Sequence, residues 1–126
     1  MRSPVDVTFE HEGIRVSVPN GALLSNGRPT AEAVAFYSNL IAGIPALKQY
    51  VATRLLPLYN DVWYDEEIGD LDEEAFIRRL CKPSVQLYDD DVSLAVVYFK
   101  DGNIFGGHSI EVTIENGVPC DASLIG

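Results

Sequence analysis

The chain has 126 residues, 47% of them apolar, and its nineteen acidic against nine basic side chains give a formal charge of −10. Length and apolar share fit one domain, 1–126, with its own core, while the acidic balance opposes binding to nucleic acid or to an anionic membrane, both of which require clustered Lys and Arg. No apolar run approaches the ~20 residues that span a bilayer, and Met1-Arg2-Ser3-Pro4-Val5-Asp6 lacks the apolar core of a signal peptide, so a cytoplasmic protein is expected.

Val5, Val7 and Phe9 alternate with polar residues, His11-Glu12-Gly13 turns the chain, and Ile14, Val16 and Val18 alternate again, which predicts an opening hairpin. A Gly/Asn/Pro-rich connection runs to Pro29. Thr30 then offers an N-cap to a helix with Ala33, Phe36, Tyr37, Leu40 and Ile41 on one face, closed by Gly43. Pro45 suits the start of a second helix carrying Leu47, Tyr50, Val51, Arg54, Leu55 and Leu58, which Pro57 should kink or end. Asp72 is the N-cap of a short third helix, with Leu71 before it and Phe76 at its fourth position as a hydrophobic staple. Glu73 and Glu74 face the positive end of that helix dipole, and Arg78, Arg79 and Lys82 lie towards the negative end.

From Ser84 the pattern has period two, predicting strands near Ser84 to Tyr88, Val92 to Lys100, Ile104 to Ile114 and Val118 to Ile125. For the last hairpin, a three-residue loop, Glu115-Asn116-Gly117, pairs Ile114 with Val118, Val112 with Cys120, Ile110 with Ala122 and His108 with Leu124, whereas a two-residue loop sets Val112 against Asp121. The expected fold is α+β: an antiparallel sheet, made of an N-terminal hairpin and a C-terminal four-strand meander, packed against two or three helices.

Few residues suggest chemistry. His108 falls on the predicted apolar side of its strand, where a histidine is usually a hydrogen-bonded structural residue. Cys120, paired with Val112, stands about 13 Å along the ladder from His108, too far for a Cys-His dyad. Cys81 reads as a small core residue, and Ser109 points to the opposite face from His108. Gly106-Gly107 is not followed by a helix, so it reads as a sheet bulge or a close approach to an aromatic ring rather than a phosphate loop. Neither Asp89-Asp90-Asp91 nor Asp65-Glu66-Glu67 has the glycine a calcium loop needs, and no metal or cofactor is expected. The triple Asp reads as a turn between strands. Asp61, Asp65, Glu66, Glu67, Asp70, Asp72, Glu73 and Glu74 fall in one stretch without a base, beside Tyr59, Trp63 and Tyr64. Helix capping accounts for Asp72, Glu73 and Glu74 but leaves the other five acids without a structural role. Aromatic anchors ringed by charge are the composition of a protein-binding hot spot.

Asp101-Gly102, Phe105, Gly107, His108, Ser109, Ile110, Val112, Asp121, Ala122 and Gly126 resemble the signature of an uncharacterised bacterial family of small acidic domains, an Asp-Gly turn followed by Phe-x-Gly-His-Ser-Ile and a closing Gly. Leu58-Tyr59-Asn60-Asp61-Val62-Trp63, Phe76, Arg79 and Leu80 look like the helical part of the same family. The resemblance covers Leu58 to Gly126, and Met1 to Ile44 carries no motif. It implies no established enzymatic activity and a likeness to bacterial immunity proteins. The expected function is therefore a non-enzymatic interaction domain that binds a basic protein through Tyr59, Asp61, Trp63, Tyr64, Asp65, Glu66, Glu67 and Asp70. The alternative is a small hydrolase or ligand-binding protein with a pocket at His108, Gly106 and Gly107.

Overall fold

A computed structural model describes residues 7–88 and 94–125. The opening hairpin forms as expected, with β1 (Val7–His11) and β2 (Ile14–Val18) antiparallel around Glu12 and Gly13, both at positive φ. A 3-10 turn, Asn20–Ala22, leads to helix α1 (Ala31–Ala42), whose N-cap Thr30 accepts the Ala33 amide through its hydroxyl at 3.1 Å. Helix α2 (Ile44–Leu58) follows, with Gly43 both ending α1 and starting it. Pro57 has no N–H to bond the carbonyl one turn back, and two residues later the coil widens into a π-helical turn, Tyr59–Trp63. The Tyr59 amide still bonds the Leu55 carbonyl, so α-helical bonding runs past the proline before the coil widens. Helix α3 (Glu73–Arg79) is capped by Asp72, whose Oδ1 accepts the Ala75 amide at 2.8 Å, and both staple residues, Leu71 and Phe76, are buried.

Strands β3 (Cys81–Leu87), β4 (Leu94–Lys100), β5 (Ser109–Glu115) and β6 (Val118–Ile125) form the C-terminal meander. One six-stranded sheet results, in the order β1-β2-β3-β4-β5-β6. All neighbours are antiparallel except β2 and β3, which pair in parallel through Arg15–Ser84, Val16–Val85 and Ser17–Gln86. A parallel pair needs a long crossover, and the helices supply it. The fold is α+β.

One face of the sheet, with Val16, Val18, Val85, Leu87, Ala95, Val97, Phe99, Ile110, Val112 and Ile114, shares a buried core with Tyr37, Leu40, Leu47, Val51, Leu55 and Phe76 of the helices. The other face is mostly polar, with half-buried Ser17, Ser84, Tyr98, Glu111, Thr113 and Ser123 around a buried Val96. There the Tyr88 and Tyr98 hydroxyls lie 3.3 Å apart. Burial first, and then the Tyr88 hydroxyl, favour the neutral phenol of Tyr98 and push its pKa well above the ordinary value.

Four expectations are corrected. The last hairpin turns on two residues, Asn116 and Gly117, both at positive φ, and Glu115 pairs directly with Val118. The register conflict that favoured a longer loop is resolved on β6: Thr113 pairs with Asp121 and Ile114 with Pro119, so Cys120 is an extra residue that restores Val112 to Ala122 and Ile110 to Leu124. Second, the strand expected from Ile104 begins only at Ser109, and residues 101–108 are a wound loop. His108 therefore lies off the strand, not on its apolar side. Third, Cys81 opens β3, three residues earlier than expected, and is exposed rather than core. Fourth, Arg54 leaves the apolar face of α2, forming an ion pair with Asp121 at 3.3 Å and lying over the Tyr50 ring. Val5, the Asp89-Asp90-Asp91 turn and Val92 lie outside the described residues.

Candidate functional site

The π turn and the wound loop meet at Phe105. Its buried ring takes edge contacts from Tyr59 at 6.2 Å, Trp63 at 5.9 Å and Phe76 at 6.1 Å between centroids. Such edge-to-face pairs add roughly 0.5–1.5 kcal/mol each beyond area burial. Tyr59 is also tied by polar contacts, its hydroxyl donating to the Gly69 carbonyl at 2.9 Å and accepting the Asp65 amide at 3.4 Å. This single side chain therefore pins the start of the acidic segment to its middle.

The eight acids from Asp61 to Glu74 are all exposed. Several hold local structure. Asp65 Oδ1 accepts the Glu67 amide at 2.8 Å, and the Asp65 carbonyl accepts the Ile68 and Gly69 amides, so Asp65 builds its own turn, contrary to the expectation that it lacked a structural role. Glu73 accepts from Gln49 Nε2 at 2.9 Å and Glu74 pairs with Arg78 at 3.6 Å. Asp61, Glu66, Glu67 and Asp70 make no side-chain hydrogen bond or ion pair among the described residues. Between these acids stand two exposed apolar side chains, Val62 at 69% and Tyr64 at 47% exposure, while Trp63 turns inward and is half-buried.

The wound loop is organised by Asp101, which the sequence marks only as part of an Asp-Gly turn. Asp101 is only 3% exposed, and its carboxylate accepts three backbone amides: Asn103 at 2.9 Å on Oδ1, and Phe105 at 2.8 Å and Gly107 at 2.9 Å on Oδ2. Gly102, Asn103, Gly106 and Gly107 all have positive φ, which lets the backbone curl around the carboxylate with its amides inward. A Cβ on Gly102 would lie 2.5 Å from the Arg79 carbonyl oxygen, and one on Gly106 would lie 3.4 Å from the Trp63 ring. The expected close approach of Gly106-Gly107 to an aromatic ring thus holds for Gly106.

His108 ends this loop. Its Nδ1 lies 2.6 Å from the Phe105 carbonyl oxygen, which can only accept, so Nδ1 carries the proton. The ring meets Trp63 edge-on at 5.4 Å. The residues of the two sequence-based site readings therefore adjoin at the Trp63–His108 contact. The hollow lined by Gly106, Gly107, His108, Ser109 and Ile125 measures about 150 Å³, below the ~300–1,000 Å³ of ordinary small-molecule sites. No hydroxyl or thiol hydrogen-bonds His108 Nε2 among the described residues. The Ser109 hydroxyl instead accepts from Lys100 Nζ at 3.4 Å. No group of three or more His, Cys, Asp or Glu side chains among the described residues is placed to hold a metal ion, and no described helix is long and apolar enough to cross a membrane.

The profile of a family described as an uncharacterised protein conserved in bacteria, DUF2262, matches residues 8–123. The chain belongs to this family. The match reaches well upstream of Leu58, so the hairpin and the first helix, within the stretch Met1 to Ile44 that carries no motif, lie inside the family region. No match to the chain was found among curated proteins or among solved structures.

Proposed function

We propose that this DUF2262 chain is a non-enzymatic interaction domain of the cytoplasm, immunity-like in kind, that binds a basic protein through the segment from Tyr59 to Asp70. The observation that carries this reading is the pairing of exposed Val62 and Tyr64 with unpaired Asp61, Glu66, Glu67 and Asp70, on a backbone braced from beneath by Tyr59 and Trp63. Exposed apolar groups supply the desolvated centre of an interface and the surrounding charge supplies steering, a division of work that recurs in protein complexes. Bracing matters because a surface that is already ordered loses less entropy on association.

The test is affinity capture from the native bacterium, followed by binding kinetics of the captured partner to purified variants. Val62→Ser with Tyr64→Ala should speed dissociation by roughly tenfold or more, the effect of losing a hot spot worth about 2 kcal/mol. Thermal stability should be nearly unchanged, since both side chains are exposed in the free chain. A partner that binds the double variant with parental kinetics would overturn the assignment of this surface.

A further inference from the structure

At one end of the open sheet face the charge is reversed. Arg15 on β2, Lys82 and Ser84 on β3, and Lys100 on β4 line a hollow of about 470 Å³ together with Glu10, Gly13 and Pro83. Three of the nine basic residues of a chain with net charge −10 thus gather round one concavity. Neither Arg15 nor Lys82 has an ion-pair or side-chain hydrogen-bond partner among the described residues, and Lys100 donates only to the neutral Ser109 hydroxyl. Glu10 pairs with Arg15 in the ladder but not as an ion pair, and with its single charge the lining carries a formal charge of +2.

The backbone is shaped to this cluster. An unbroken register would set Lys82 directly opposite Lys100, an unfavourable like-charge pair. Instead Cys81 pairs with Lys100 and Ser84 with Tyr98, so Lys82 and Pro83 form a bulge, and Lys82 takes a φ of +49°. Bulges re-aim side chains, and a lysine in left-handed backbone is held there at a conformational cost.

We propose that this hollow binds a small phosphorylated ligand by its phosphate oxygens. The Arg15 guanidinium offers paired N–H donors, Lys82 and Lys100 act as point charges, and the Ser84 hydroxyl adds a neutral donor. The volume falls within the ~300–1,000 Å³ of small-ligand sites, and the formal +2 of its lining matches a phosphate dianion. A nucleic acid strand would need a longer basic track than this one on an acidic surface.

The experiment is an amide-resolved NMR titration of the full chain with inorganic pyrophosphate at constant ionic strength, with parallel arms using adenosine diphosphate and a short single-stranded DNA. Saturable shifts centred on Gly13, Arg15, Ser84 and Lys100 are expected. Lys82→Gly and Lys100→Gln should each weaken pyrophosphate binding roughly tenfold, the loss of one charge-assisted contact. Glycine suits the positive φ at position 82, so Lys82→Gly should fold at least as well as the parent, and its loss of binding cannot be read as unfolding. Tighter binding of adenosine diphosphate identifies an organic phosphate as the source, and equal binding identifies the phosphate group alone as the recognised element; both support the site. Shifts that are scattered or non-saturable, parental affinity in Lys82→Gly, or DNA bound in the hollow more tightly than adenosine diphosphate would overturn it.

Discussion

The acidic segment and the Asp101 loop use carboxylates in opposite ways. Eight acids between Asp61 and Glu74 point to solvent, whereas Asp101 is withdrawn and surrounded by three amides of its own loop. An exposed carboxylate keeps its hydration and adds little to stability, while a buried one persists only if its hydrogen bonds replace the water it lost. Asp101 is therefore architecture, and the unpaired acids of the segment are available for recognition. The two regions touch through Phe105, so the loop forms the floor on which the exposed segment rests.

The comparison breaks most severely at the loop. Asp101→Ala removes the acceptor of three amides in one step and should cost about 3 kcal/mol or more, since each unsatisfied buried donor costs ~1–3 kcal/mol and the loop recovers part of this by opening to water. Chemical denaturation measures it. Asp101→Asn separates charge from geometry: its one oxygen still accepts while its amide nitrogen cannot, so a loss smaller than that of Asp101→Ala is expected, and parental stability in Asp101→Asn would show that the carboxylate is not the organising group.

Next comes Gly102→Ala, expected to cost roughly 2–3 kcal/mol because a Cβ combines a positive-φ penalty with collision against a backbone oxygen. That oxygen belongs to Arg79, whose guanidinium also donates to the Gly102 carbonyl at 3.3 Å, so the end of α3 and the loop should loosen together in hydrogen exchange.

Most of the helical layer was legible in the sequence because caps and staples are local. Thr30, Asp72, Leu71 and Phe76 do what their spacing implies. The loop was not legible, because Ile104 and Phe105 are as buried as strand residues and alternate poorly from them only through the glycines between. The Asp101-Gly102 turn of the signature is present, but a side chain that collects amides up to six residues ahead gives no periodic signal. The last hairpin failed for a related reason: hydrophobic register showed that one extra residue was needed, and the Asn-Gly turn took its two-residue form, so the extra residue went into β6 at Cys120. At the site, the neighbourhood of Trp63 and His108 depends on the path of the π turn after Pro57, which spacing alone does not encode.

A milder change sharpens the link between the regions. Tyr59→Phe keeps the ring packed on Phe105 but deletes the hydroxyl bridge from Asp65 to Gly69, and should cost about 1 kcal/mol. Faster amide exchange should be confined to residues 65–69. A loss spread over the sheet would mean that the acidic segment is part of the cooperative core rather than a surface laid upon it.

The smallest stability effect is expected from the acids themselves, and that is what makes them informative. Asp61→Asn, Glu66→Gln, Glu67→Gln and Asp70→Asn combined leave Asp65 and Asp72 to hold their turns, and remove four charges that make no side-chain bond. The melting temperature should stay level or rise slightly, since relief of like-charge repulsion offsets any loss. Association with a basic partner should slow, most clearly at low salt, because exposed charges act over a screening length of ~8–10 Å at physiological ionic strength. Dissociation should change less, since the proposed interface assigns that role to Val62 and Tyr64. A variant that melts well below the parent would make these four carboxylates structural, like Asp101, and remove the contrast between the two regions; one that melts normally and associates at the parental rate across a salt series would make them solubilising surface only.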